Sequence, residues 1–136
     1  MKLTPGTETE LYHRFADGVG ESLLRQRRPV RYDICRLLAE PTGERCAVYV
    51  GIGGDGTVLY VGSVCRAEPG AVADRLREHL RTGFKAATWD TAWIFPLWPA
   101  TPEHVVRQAE SRVATLAGRP PQSLALPQRP VAVRAG

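Results

Sequence analysis

The chain has 136 residues, a length that suits one domain with a core large enough to need no metal or disulfide staple. Its apolar and charged fractions, 43% and 24%, are those of an ordinary globular protein, and no apolar run is long enough for a membrane-spanning helix. Net charge is +4, and Lys2 and Lys85 are the only lysines, so the positive charge is almost all arginine, which forks onto phosphate oxygens better than lysine does. That balance fits a phosphate-backbone partner without requiring one. The N-terminal MKLTPGTETEL lacks the apolar stretch of a secretory leader, so the expected location is cytoplasmic, with no membrane partner. Cys35, Cys46 and Cys65 are odd in number and lack metal-ligand spacing, and they read as packed, reduced thiols.

In chain order, Leu11, Phe15, Val19 and Leu23 recur every four residues and predict a helix from Thr7 to about Arg28. Gly18 and Gly20 weaken its middle, and Arg25, Arg27 and Arg28 form a cationic last turn before the stop at Pro29. Val30–Leu38 alternates partly and predicts a strand. The turn Pro41-Thr42-Gly43 would fold it antiparallel against the next strand. Two apolar runs follow, Cys46–Gly53 and Thr57–Val64, either side of a Gly-Asp-Gly turn, and together they predict a β-hairpin. In the first run Tyr49 shares a face with Ala47, Gly51 and Gly53, which would leave open surface over the sheet for a substrate. In the second run Gly62 has no Cβ, so backbone or ligand can come close, with Ser63 beside it.

The stretch Ala71–Thr82 places Val72, Leu76 and Leu80 on one helical stripe, with Arg75 and His79 one turn apart at its edge. Arg77, Arg81 and Lys85 face outward, where they would track a phosphate backbone. Trp89–Trp98 is aromatic and predicts a third strand ending at Pro96 or Pro99. Thr101-Pro102-Glu103 is a helix start with the threonine as N-cap, and Gly118 is its stop. Glu110 lies beside the apolar stripe of that helix. A half-buried carboxylate needs a partner, either a surface arginine, Arg107 or Arg112, or a cation.

The tripeptides Ala47-Val48-Tyr49 and Tyr60-Val61-Gly62, then Arg75 on the next helix and Glu110 on a later one, resemble the GIY-YIG nuclease family from about Cys46 onward. The resemblance implies an α+β fold, a small, mostly antiparallel three-stranded sheet flanked by helices, with the N-terminal strand as a candidate fourth. Residues 1–44 would be a helix-and-strand extension packed on a nuclease core, 45–136, that ends in a proline-rich tail. The implied activity is metal-dependent hydrolysis of DNA phosphodiester bonds. Tyr49 would be the general base, with Tyr60 supporting or competing. Arg75 would donate to the scissile phosphate, and His79 would do the same or steady Tyr60. Glu110 would hold one Mg²⁺ or Mn²⁺, and Gly62, Ser63, Arg77, Arg81, Lys85 and Gln122 would serve substrate binding. Two departures stand out. Ala47 replaces the first motif's glycine, and the family's asparagine is missing from a chain with no asparagine at all, Gln122 being the nearest substitute. A catalytically impaired module that binds nucleic acid or protein is the competing reading.

Overall fold

A strand without a charged side chain has to be covered on both faces, and Cys46–Gly53 (β2) is buried along its whole length. Among the described residues six further elements provide the cover and the sheet around it: α1 (Glu8–Val19), β1 (Val30–Asp33), β3 (Val58–Cys65), α2 (Ala71–Leu80), β4 (Trp89–Pro96) and α3 (Glu103–Leu116). The structure is a computed structural model that describes residues 8–20, 22–25, 30–33, 43–68, 70–81, 88–118 and 120. The fold is α+β: an antiparallel sheet in the order β1-β4-β2-β3, flanked by helices.

Strand alternation splits the apolar side chains between two layers. On one face Val48, Val50, Ile52, Val61, Trp93 and Phe95 pack under α1 and α3, which contribute Phe15, Val19, Val106, Ala109 and Val113. On the other face Ala47, Tyr49, Tyr60, Val64, Trp89 and Ile94 pack under the Val72, Leu76 and Leu80 stripe of α2. Gly70, left-handed at φ 78°, turns the chain from the loop after β3 into α2. The Gly70 and Val72 amides then bond to the carbonyls of Gly43 and Glu44, which ties the start of α2 to the segment leading into β2.

The helices α1 and α3 approach closely at Gly18, where a Cβ would lie 2.7 Å from Leu116 Cδ1. Arg112 of α3 donates to the carbonyls of Gly18 and Val19 at 2.6 and 3.1 Å, meeting acceptors that the end of α1 leaves open.

Four sequence expectations are corrected. The N-terminal strand pairs with β4, from Val30↔Ile94 to Asp33↔Thr91, and not with β2, whose two sides are taken by β3 and β4. Residues 34–38 of the predicted strand lie outside the described residues. The first helix stops at Val19, because Gly20 turns to φ 103° and Leu24 then bridges to Leu97. Arg25 therefore sits beyond the helix and forks onto the Glu44 carboxylate; Arg27 and Arg28 lie outside the described residues. Thr101 does not cap α3. Its hydroxyl donates to Trp98 O at 2.6 Å, and Pro102 precedes the helix with no side-chain cap.

Candidate active site

The hairpin register sets each tyrosine opposite a glycine: Tyr49 faces Gly62 and Tyr60 faces Gly51. Each glycine gives up the space above its Cα to a ring. A Cβ on Gly62 would fall 2.7 Å from Tyr49 Cζ, from Tyr49 Oη and from Tyr60 Cε1. A Cβ on Gly51 would fall 2.4 Å from the Trp89 indole. The two phenols stack with centroids 6.1 Å apart and planes 21° apart, and Trp89 tilts against Tyr60 at 5.7 Å. His79 closes the group from α2, 4.7 Å from Tyr60 and 5.6 Å from Tyr49 by ring centroids. The small residues around Tyr49 thus do not open a surface, as the sequence suggests. They make room for aromatic rings, and Tyr49 is fully buried. The ring over Gly62 is likewise Tyr49 itself and not a ligand.

His79 is buried, and its Nε2 shares a 2.7 Å hydrogen bond with Tyr49 Oη. It faces the phenols, packing on Tyr60 as the second of its two expected roles requires, and is not among the residues that line the cleft. Which atom carries the proton depends on the imidazole tautomer.

The cleft is about 420 Å³ and runs along the outer edge of β3 between α2 and α3. Ser63, Val64, Cys65 and Arg66 form its floor, Arg75 one wall, and Glu103, Val106 and Arg107 the other. Glu110 lies one turn beyond Val106 on α3 and accepts a 2.5 Å hydrogen bond from Ser63 Oγ. Neither surface arginine offered by the sequence pairs with it: Arg107 bonds to Glu103 at 2.6 Å, and Arg112 serves α1. Ser63 therefore acts through Glu110, and it also touches the cleft as expected.

Electrostatics links these groups across the edge of the sheet. Burial first, then the Tyr60 hydroxyl, push the Tyr49 phenol well above its ordinary range; Arg75 pulls it down and Glu110 pushes it up. Tyr60 is raised by burial, with Arg75 opposing and Glu110 adding. Burial works against the Arg75 charge, yet the Tyr49, Glu78 and Tyr60 oxygens outweigh it and leave the guanidinium raised. Arg75 approaches from the α2 face and Glu110 from the α3 face, and both act on the same pair of phenols.

The chain matches no profile of a known protein family, no curated protein and no solved structure.

Among the other expected substrate contacts, Arg77 pairs with Asp74 at 3.2 Å on α2 and Arg81 is exposed just past that helix; neither lines the cleft. Lys85 and Gln122 lie outside the described residues. Sequence reasoning missed four residues. Arg66 and Arg107 bring cationic side chains to the cleft in place of Arg77 and Arg81. Glu78 accepts from Arg75 at 3.0 Å and from Arg66 at 3.5 Å, and Arg75 first, then Arg66, hold its carboxyl below the usual range. Trp89 fills the gap over Gly51. The spacing of Arg75 and Glu78, one helical turn, was the one available signal.

Among the described residues no three His, Cys, Asp or Glu side chains cluster as a metal cage. Glu110 is a single hard-oxygen donor with one oxygen held by Ser63. That set suits a cation that keeps most of its waters and takes phosphate oxygens, and it does not suit one that needs a full protein shell. No described helix is long and apolar enough to cross a membrane.

Proposed function

We propose that this chain is a metal-dependent endonuclease of the GIY-YIG kind, acting on DNA phosphodiester bonds in a cytoplasmic setting. The observation that carries this reading is that one cleft edge brings together Arg75, which forms a wall of the cleft, and Glu110, which accepts from Ser63 on the cleft floor, although the two lie on helices covering opposite faces of the sheet. Glu110 is held by a serine and by no described arginine, whereas hydrolysis needs a proton acceptor, a cation for the phosphate and an anchor for a divalent ion.

In this reading Arg75 donates to the scissile phosphate as charge grows on its oxygens, a contribution of several kcal/mol in a preformed site, roughly 3–4 for one such donor. Glu110, oriented by Ser63, would hold Mg²⁺ or Mn²⁺, which supplies charge neutralisation at the phosphate and the leaving 3′-oxygen. Tyr49 has to accept a proton from water, and burial opposes its phenolate. With His79 Nε2 unprotonated, Tyr49 can pass its own proton 2.7 Å to the imidazole as it takes one from water, so no phenolate need accumulate. Because Tyr49 is fully buried, water must first gain access to its hydroxyl. Hydroxide then attacks phosphorus, the bond to the leaving oxygen breaks, and that oxygen takes up a proton from solvent while His79 later releases its own. Tyr60, stacked on Tyr49, keeps that hydroxyl in place.

The test is incubation with supercoiled plasmid and Mg²⁺ or Mn²⁺, beside Glu110→Ala and Arg75→Ala proteins whose fold is checked by circular dichroism. Metal-dependent nicking that disappears in both variants supports the reading. Full activity in either variant overturns its role. The complete enclosure of Tyr49 favours one other reading, a module that binds nucleic acid without cutting it, and retention on DNA with no cleavage would support that one.

A further inference from the structure

Two thiols stand outside the proposed reaction. Cys46 opens β2 and Cys65 closes β3, and they are register partners. The next pair outward exchanges a hydrogen bond from Arg66 N to Arg45 O, while Cys46 O turns away to accept from Leu97 N in the β4 direction. Cys46 and Cys65 are therefore a non-hydrogen-bonded antiparallel pair. In such pairs the Cα atoms come within about 4.5 Å and the side chains meet on one face. Disulfides span Cα separations of roughly 4.4–6.8 Å, so the backbone need not move to join them.

Both residues are free thiols, and they differ in access. Cys46 is fully buried in the α1–α3 core. Cys65 is half-buried, lines the cleft, and has its Sγ 3.6 Å and 3.9 Å from the carbonyl oxygens of Thr101 and Pro99. Burial, and then the adjacent Cys65, push the Cys46 thiol up, which suits it to the second, resolving step and leaves the first attack to Cys65.

We propose that this pair is an oxidation site, in which a small disulfide such as oxidised glutathione reacts at Cys65 from the cleft and Cys46 closes a cross-strand disulfide. The Cys65 sulfur attacks one sulfur of the oxidant, whose S–S bond breaks and releases one glutathione. The Cys46 sulfur then attacks the Cys65 sulfur, the new S–S bond forms, and the second glutathione leaves with the Cys46 proton. Two protein thiols are oxidised and one glutathione disulfide is reduced to two thiols. The second step is the slow one, because burial disfavours the Cys46 thiolate, and it speeds up as pH rises. Closing the bond swings Cys65 Sγ off the turn that leads into α3, one pleat from Ser63 on the same face. The inference holds whether or not the cleft cuts DNA.

The two cysteines share one tryptic peptide, Cys46–Arg66, with no internal Lys or Arg. The experiment treats folded Cys35→Ser protein with oxidised glutathione, then denatures, alkylates and digests it. Expected is a peptide lighter by two hydrogens that takes no label, and that takes two labels after dithiothreitol. The Cys65→Ser protein should give no such product. A glutathione adduct that persists on Cys65 while Cys46 alkylates, two labels without reduction, or cross-links only between chains would overturn the proposal.

Discussion

Replacing Gly62 by alanine should loosen the site by packing alone. The Gly62 backbone does not adopt a positive φ, so alanine fits it without strain. A Cβ there would sit 2.7 Å from three ring atoms, about 0.7 Å inside the ordinary contact limit of 3.4 Å. The rings cannot step aside: Tyr49 is held by His79, and Tyr60 lies against His79 and Trp89. Overpacking of this kind costs about 1–3 kcal/mol, and the loss of glycine's unfolded-state freedom returns about 0.4–1 kcal/mol. Destabilisation wins, by about 1–2 kcal/mol, which lowers Tm by roughly 3–8 °C for a chain of this size. Gly54→Ala is the control, because nothing lies within 4 Å of its Cβ position, and it should be neutral or slightly stabilising. The assay is thermal and urea unfolding of both variants, then of Gly62→Ala in a Tyr49→Ala background. There the penalty should shrink without vanishing, since Tyr60 Cε1 remains. A Gly62→Ala protein as stable as wild type, or one equally destabilised with and without the Tyr49 ring, would refute the steric argument.

Ultraviolet difference titration of the tyrosines should respond to both flanking charges: Glu110→Gln lowers the ionisation midpoints of Tyr49 and Tyr60, and Arg75→Ala raises them. Both folded phenols lie above the unfolded value of about 10. Their contribution to stability is thus complete below about pH 10 and is lost as pH rises further, by about 1.4 kcal/mol per pH unit for each proton the native state retains. Alkaline unfolding of Tyr60→Phe should show the shallower slope. Ser63→Ala should raise the Mg²⁺ or Mn²⁺ concentration for half-maximal nicking by about tenfold or more, with a small change in Tm; an unchanged metal requirement would remove Ser63 from that role. Arg112→Ala should cost about 1–2 kcal/mol in urea unfolding by stripping the end of α1 of its donors, and should leave nicking well below Tm intact.

The hairpin, α2, β4 and α3 were legible because each buries an unambiguous pattern. The strand Cys46–Gly53 has the predicted ends, and Val58–Cys65 and Ala71–Leu80 differ from expectation by a residue or two. The partner of β1 was not legible. A nearby turn argues for local pairing, but the sequence does not say which side of β2 is already taken, and β4 takes it from far along the chain. The end of α1 failed for a related reason: the apolar period runs on to Leu23, while the backbone breaks at Gly20. At the site, Arg75 and Glu110 were visible as polar groups at the margin of apolar stripes. The enclosure of Tyr49 was not, since small neighbours look the same whether a ligand or an indole fills the gap above them. Nothing local in the chain points from Ser63 to Glu110; only the placement of α3 joins them.

The cleft follows the outermost strand of the sheet, and that position carries a hazard separate from any chemistry. An outer strand offers unpaired backbone groups to another molecule's strand and so invites aggregation. Along β3 that margin is lined by Arg66, Arg75 and Arg107, charges that a second sheet would have to dehydrate before it could dock. Variants made to silence Arg75 therefore also remove a gatekeeper, and their solubility should be measured before a lost signal is read as lost catalysis.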